Sequence, residues 1–494
     1  MHRFITLIPV FLVVLSAALN AHSQSSRPNI ILIYADDLGY NETGVYGQTK
    51  INTPNIDIMA AAGARFTDFY TGSPVCAPAR CIMLTGRHSG HSYIRGNYEL
   101  GGFEDAHEGG QMPLAEGTFT LAHLLKQYGY TTGAIGKWGL GIYGSSGSPD
   151  KMGFDYFYGY LDQKQAHNHY PTHLWENGKW DSLNNREIDV HRTLSSSENH
   201  PDSFKVFTGN DYAPEKEILK AKDFLGKNKS KSFFLYLPFT LPHLSLQIPA
   251  EKLKQYQASF KDEQPYRGQN GYASTLYPYS TYAAMISYLD SMVGVIFASL
   301  KENSLLNNTI VLFTSDNAAT FNTGGFNREI FGSNLPLRGG KQDLYEGGIR
   351  VPMIAWWPGR ISPGKIIEST ASQVDMLSTI ADLLKVKAEK SDGLSFLPLL
   401  VGKVSSPKER SFYFEFPEKG GQVAVRLGKW KGVKRNMKAN PGTIWELYDL
   451  SRDISETTDL AKDHPEILRQ FDAIVKKEHQ HSHIKEWEFV DAKF

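Results

Sequence analysis

Four groups of polar residues would do chemistry together if the fold gathered them. "ADDLG" sets Asp36 beside Asp37, and "TSDNA" sets Asp316 beside Asn317. All four side chains offer oxygen donors, with no thiolate or imidazole among them, which suits a hard cation such as Ca2+ or Mg2+ rather than Zn2+. An Asp at a strand end can equally cap the next helix, but two such motifs at two strand ends favour the cation. The basic residues are Lys137 in "GKWGLG", Lys341 in "LRGGKQDLYEGGIRVP" and Arg80, four positions beyond Cys76. Gly-rich turns let backbone approach a ligand closely, and three cations around a divalent metal describe a site for a tetrahedral oxyanion. His243 follows Pro242 at the end of an apolar run and is a candidate proton carrier. The chain's 2 cysteines, Cys76 and Cys81, both fall in "GSPVCAPARCIMLTGRHSG". A disulfide between them would close too small a loop to stabilise much, and one bridge is no framework for 494 residues. At least one of them should therefore be there for its chemistry.

The elements that must position these groups are legible as β-branched and aromatic runs alternating with helical patterns. "NIILIYA" (29–35), "TTGAIG" (131–136), "SFFLYLPF" (232–239), "TIVLFTS" (309–315) and "PMIAWWP" (352–358) read as strands buried on both faces. Helices are expected from Pro54, over "TLAHLLKQYG", over 282–302 and over 372–385. Strand and helix in alternation imply an α/β unit with a mainly parallel sheet covered by helices on both faces. Asp36 and Asp37, Lys137, His243, and Asp316 with Asn317 each follow one of these strands, and in an open α/β sheet such strand ends line one crevice. Beyond about residue 405 the texture changes to short runs, "RSFYFEF", "QVAVRLGKWKGVK" and "WELYDL", before a last helix around 464–478. This predicts a small C-terminal antiparallel subdomain over 406–494 after a catalytic unit over 24–405.

Lys plus Arg and Asp plus Glu both number 52, so no overall field draws nucleic acid or an anionic membrane. Residues 1–23 have the form of an export signal: a short basic start, the apolar core "FITLIPVFLVVLSAAL", then small residues. That core is short of the ~20 residues a membrane span needs, so the mature protein is expected in the periplasm or outside the cell, without stable membrane insertion.

The stretches "RPNIILIYADDLGY", "SPVCAPARCIMLTGR", "GYTTGAIGKWGLG", "LPHLSLQIP", "FTSDNA" and "GGKQDLYEGGIRVP" resemble, in order and spacing, the type I, formylglycine-dependent sulfatases of the alkaline phosphatase superfamily. The resemblance runs from Arg27 to about residue 460. It implies an alkaline phosphatase-like fold and a hydrolase of sulfate monoesters. It also implies that a maturation enzyme oxidises Cys76 to formylglycine, whose hydrate is a geminal diol. A sulfated serine or thiol would need a second displacement by water, whereas a diol can expel sulfate through its other hydroxyl. By the same resemblance Asp36, Asp37, Asp316 and Asn317 would hold Ca2+ together with residue 76. Arg80 would bind the diol and metal-site oxygens, Lys137 and Lys341 would neutralise the sulfate oxygens, and His243 would protonate the leaving alcohol. Pro78 and Arg80 match the recognition pattern, with Ala79 where many relatives have Ser.

Gly139 stands where relatives commonly have a histidine. "DQKQAHNHYPTHLW" offers His167, His169 and His173 instead, and the segment 156–175 is the expected wall against a sugar, since aromatic faces stack on pyranose rings. The expected substrate is a sulfated carbohydrate of the galactose or N-acetylgalactosamine type. The alternatives are a phosphonate or phosphodiester hydrolase of the same superfamily, and an inactive protein that binds sulfated glycans.

Overall fold

The computed structural model describes residues 27–257, 259–260, 263–388, 390–404 and 409–490. The expected export segment and the expected domain boundary at 405/406 lie outside the described residues.

The central strands follow from runs with no polar interruption. β1 (Asn29–Ala35) is buried at every position, and its two faces serve two cores. Ile31 and Ile33 pack with α1 (Pro54–Ala61), α4 (Ala213–Lys227) and α5 (Pro278–Glu302). Ile30, Leu32 and Tyr34 pack with α2 (Cys76–Thr85), α3 (Leu121–Gln127) and α6 (Met376–Leu383). Two-residue alternation thus divides one strand between two helical layers, each fully buried Ile contributing roughly 1.5–3 kcal/mol over an exposed one. Helix α5 is long and apolar enough to cross a membrane, yet its apolar side is part of the core beneath β1.

Among the described residues the sheet has ten strands. The others are β2 (Ala64–Phe66), β3 (Thr131–Lys137), β4 (Tyr156–Tyr160), β5 (His173–Glu176), β6 (Lys179–Ser182), β7 (Phe233–Pro238), β8 (Thr309–Ser315), β9 (Met353–Trp356) and β10 (Lys365–Ile367). They run in the order β10-β2-β9-β8-β1-β7-β3-β4-β5-β6. The five from β8 to β4 are mutually parallel, while β9, β5 and β6 pair antiparallel. The consequence is geometric: the C-terminal ends of β8, β1, β7 and β3 form one contiguous edge.

Two features of the fold go beyond the sequence reading. The aromatic segment from Tyr156 is part of the sheet: its first residues form β4 and its last begin β5. A helix begins at Cys76 itself, so Cys81 sits in its second turn, with Sγ 3.3 Å from Ser92 Oγ.

A second sheet of four antiparallel strands, β11 (Ser411–Phe416), β12 (Gln422–Leu427), β13 (Trp430–Lys434) and β14 (Glu446–Asp449), follows in chain order. One face is covered by α7 (Pro465–Glu478) through Phe471 and Val475. The other packs Phe414, Ala424 and Val433 on Tyr70, Val75 and Leu344. Val75 precedes Cys76 and Leu344 lies three residues past Lys341, so this sheet backs two of the segments that carry the site.

Candidate active site

Parallel register brings the acids together. Ala35 pairs with Ser315, so Asp36 and Asp316, the next residues of the two chains, emerge side by side. Asp37 follows with a left-handed backbone, φ 65°, a conformation that costs a non-glycine residue about 1 kcal/mol or more. It is held by its own N–H donating to Asp316 Oδ1 (3.0 Å), while the Leu38 N–H donates to Ser315 Oγ (2.9 Å). The turn aims successive carboxylates into one space.

Cys76 occupies the first position of α2. Pro78 lies in the same first turn, where its missing N–H removes no helical bond, and the Asn97 side chain accepts the Ala77 N–H (3.1 Å). Arg80, four residues on, shares the face of Cys76. Its guanidinium is fully buried and donates to Asp316 Oδ2 (2.9 Å) and to the Lys137 carbonyl (2.7 Å), with Asp36 Oδ2 at 3.4 Å. Lys137, the last residue of β3, donates to Asp36 Oδ2 (2.7 Å). Its delivery depends on Gly136, whose φ is 131° and where a Cβ would stand 2.1 Å from the Pro238 carbonyl. Lys341 donates to Asp37 Oδ2 (2.8 Å) and lies 3.4 Å from both Cys76 Sγ and His243 Nε2. The Gln342 N–H donates to the Pro74 carbonyl (3.0 Å), tying the lysine loop to the cysteine loop.

All nine residues singled out from the sequence, Asp36, Asp37, Cys76, Arg80, Lys137, His243, Asp316, Asn317 and Lys341, therefore meet in one buried cluster. Cys76 Sγ is 3.5 Å from Asp36 Oδ1. Burial pushes the Cys76 thiol up to about 12 despite Lys137 and Lys341, so it stays protonated at neutral pH. Burial, reinforced by Asp36, raises Asp316 to about 7. The Lys137 and Arg80 charges outweigh burial at Asp36 and hold its carboxyl well below the usual range. Asn317 donates its amide N–H to Asp37 Oδ1 (2.6 Å), and its Oδ1 is buried without a partner. An orphan oxygen facing carboxylates in an all-oxygen set is what a hard cation would satisfy.

His243 bonds the Leu244 carbonyl through Nδ1, which leaves Nε2 facing Asp37 Oδ2 (3.6 Å) and Lys341. Burial, then the Lys137 charge, keeps the imidazole neutral, well below its usual value. Of the three alternative histidines only His167 reaches this group. Its ring lies 5.1 Å from that of His243, nearly parallel at 15°, and its Nδ1 is buried without a partner. His169 is fully buried, with Nε2 3.0 Å from the His243 carbonyl, and props that loop from behind. His173 pairs with Glu108 (2.9 Å) and stacks on Trp180. Position 139 has φ 70°, and a Cβ there would meet the Gln163 side chain at 2.8 Å, so a histidine here would strain the backbone and require Gln163 to shift. Tyr272 and His191 flank His167, with ring centroids 5.2 and 5.6 Å away. No motif in the sequence marks either.

A mainly parallel sheet flanked by helices, with acids and cations gathered at its C-terminal edge, is the alkaline phosphatase-like arrangement of a hydrolase of tetrahedral oxyanion esters. The model of the family "Sulfatase" matches residues 28–386, and that of "N-sulphoglucosamine sulphohydrolase, C-terminal" matches residues 340–485. The chain is 31% identical to N-acetylgalactosamine-6-sulfatase of Canis lupus familiaris, the match covering 85% of this chain and 74% of the other. It is 29% identical to N-acetylgalactosamine-6-O-sulfatase of Bacteroides thetaiotaomicron, covering 92% and 93%. The crystal structure of Ps i-CgsB in complex with k-i-k-neocarrahexaose superposes with a TM-score of 0.73 at 29% identity, covering 93% of this chain and 96% of that one. The chain belongs to the sulfatase family and is a sulfuric ester hydrolase.

Proposed function

We propose that this sulfatase is exported and removes sulfate from a carbohydrate of the galactose or N-acetylgalactosamine type, through formylglycine at position 76 and Ca2+. The observation that carries the reading is Cys76 at a helix start, buried within 3.5 Å of Asp36 and 3.4 Å of Lys341. The names of the N-acetylgalactosamine-6-sulfatase relatives, and the sulfatase-like neighbour holding an oligosaccharide, support the sugar.

Asp36, Asp37, Asp316 and the orphan oxygen of Asn317 would hold Ca2+, which neutralises crowded carboxylates and the anion beside them. Formylglycine made from Cys76 by a maturation enzyme would supply a hydroxyl nucleophile at this position. Arg80 holds Asp316 and the β3 terminus in place. Lys137 and Lys341 present ammonium groups to the sulfate oxygens without reorganising, because both are already fixed by carboxylates. His243 Nε2, with Lys341 behind it, carries the proton to the leaving alcohol. His167, stacked on His243, stands on the leaving-group side, where Tyr272 and His191 extend the wall. In this reading residues 1–23 are the cleaved signal, 24–405 the catalytic unit and 406–494 its supporting subdomain.

The test is expression with a maturation enzyme, followed by peptide mass spectrometry at position 76 and a screen of defined sulfated monosaccharides and disaccharides beside a phosphodiester. Sulfate release from galactose or N-acetylgalactosamine sulfates, confined to material carrying the aldehyde or its hydrate, is expected. Full activity in thiol-only protein would overturn the mechanism. Preferred phosphodiester cleavage would overturn the substrate, and binding without turnover would mark a glycan-binding protein.

A further inference from the structure

The chain beyond α7 reads "HQHSH", with imidazoles at alternate positions, and its backbone is extended where it leaves the helix at His479. Alternation places His479, His481 and His483 on one side of the strap. His483 is taken up by stacking on Tyr93 (3.8 Å, 9°). His479 and His481 instead converge on Glu488, which the turn Lys485–Trp487 brings back toward them. Glu488 Oε1 lies 2.9 Å from His479 Nε2, and its Oε2 lies 3.4 Å from His481 Nδ1.

We infer that His479, His481 and Glu488 form a binding site for a borderline transition-metal ion of the Zn2+ class, separate from the oxygen cluster of the active site. Three features carry this. The three donor atoms, one from each residue, lie within 4.8 Å of one another, close enough for a small closure onto one ion with bonds of about 2.0–2.2 Å. The donors are two imidazoles and a carboxylate, a set that suits Zn2+ and not Ca2+. His479 Nδ1 is held 2.8 Å from Oε2 of Glu415, a fully buried carboxylate of β11 that also bonds Arg95 and the Tyr413 hydroxyl (2.8 and 2.7 Å for the His479 and Tyr413 bonds). That carboxylate fixes the Nδ1–H tautomer and leaves Nε2 as the ligand, the outer-shell arrangement of metal-binding histidines. In the metal-free protein the Nε2 position is filled by the proton shared with Glu488, which the ion displaces. His481 is 77% exposed, so the fourth position opens to solvent.

The neighbouring cluster of His88, His91 and Asp392 lacks this logic. The Gly90 N–H donates to His88 Nδ1 (3.2 Å), so the His88 proton sits on Nε2 and points at Glu478 (3.1 Å). That pair is a closed hydrogen bond rather than a ligand. At the proposed site an ion would staple the C-terminal strap to β11, and with it the buried Trp487 that the strap carries into the main core.

The experiment is calorimetric titration of the full-length protein with Zn2+, with Ca2+ in excess so that the oxygen cluster is saturated, beside His481→Ala and Glu488→Gln. One equivalent of Zn2+ is expected in the parent. Affinity should fall at least ~10-fold in each variant, the thermal midpoint should rise with Zn2+ only in the parent, and hydrolysis should be equal in all three. Glu415→Gln should weaken Zn2+ binding by ~10–100-fold without removing a ligand. Zn2+ binding unchanged in both ligand variants, or displaced by added Ca2+, would overturn the proposal, as would the absence of binding.

Discussion

At the scale of single residues the site is a balance of buried charge, and His243 is the residue where chemistry and burial pull against each other. Desolvation and two lysines keep it neutral when no anion is present, whereas protonating a sugar alcohol requires it to carry a proton. In the proposed mechanism a bound sulfate ester would oppose the same two ammonium groups and restore that proton. The need is greatest for a poor leaving group, so His243→Ala should lose at least ~10²-fold on a sugar sulfate and much less on a nitrophenyl sulfate, whose phenolate leaves unaided. Steady-state kinetics on both substrates check this, and equal losses would remove His243 from the leaving-group side. The acids make a second prediction. Asp316 is raised to about 7 and Asn317 has an orphan oxygen, so chelation should abolish hydrolysis and lower the thermal midpoint, with Ca2+ restoring both better than Zn2+. The residues of this cluster were legible because each follows a recognisable strand or sits in a motif. His167 could not be told from His169 and His173 by sequence. Which imidazole faces the cleft depends on a turn at 165–167 and on the loop holding His243, and neither leaves a periodic trace. Tyr272 and His191 were invisible for the same reason, being brought in by long loops.

Elements explain why some strands were readable and others were not. β1 and β8 match their expected limits because a seven-residue run buried on both faces has no other stable use. β2 and β10 are three residues each, too short for any period, and they exist as strands only because β9 and each other supply the partners. The strand β4 was not read from the sequence because "YFYGY" has no apolar alternation, and its glycine is what lets it pair. Gly159 lies opposite Gly136, and a Cβ on either would come within 2.1 Å of neighbouring backbone. Gly136→Ala should therefore push β3 away from β7 and displace Lys137. Activity and thermal midpoint should fall together, whereas Gly144→Ala, where a Cβ meets nothing within 4 Å although φ is 88°, should cost only about 1 kcal/mol of backbone strain. Thermal unfolding and kinetics of the pair separate crowding from conformation.

Over the whole molecule, the C-terminal sheet is joined to the main unit by charge as well as by apolar packing. Lys431 of β13 is fully buried, 2.8 Å from Glu346 and 3.4 Å from Glu456. Glu346 also receives the Tyr70 hydroxyl (2.8 Å) and lies 3.2 Å from Arg350. Glu346 lies five residues after Lys341, so this network anchors the loop that carries Lys341. Breaking a buried pair by deleting one partner leaves the other charge uncompensated, at about 3–5 kcal/mol. Lys431→Met should therefore destabilise by that order in denaturant unfolding at pH 7, and lower hydrolysis through the Lys341 loop. The pH dependence has a definite sign. Burial alone would raise the Glu346 carboxyl, but Lys431, Arg350 and Arg426 outweigh it and bring it from 4.5 to about 2. A carboxyl lowered on folding stabilises the protein fully above its unfolded value, and that contribution is lost as pH falls from about 4.5 toward 2. Acid unfolding followed by fluorescence, with Trp430 and Trp445 both in the C-terminal sheet region, should thus begin below about pH 4.5 in the parent. In Lys431→Met only Arg350 and Arg426 still hold the carboxyl down, so less stability is lost between pH 4.5 and 2, and the variant's deficit relative to the parent should be largest above about pH 4.5 and narrow as pH falls. No deficit above pH 4.5 in that variant would mean that the apolar contacts of Phe414, Ala424 and Val433 hold the sheet in place and the buried charges do not.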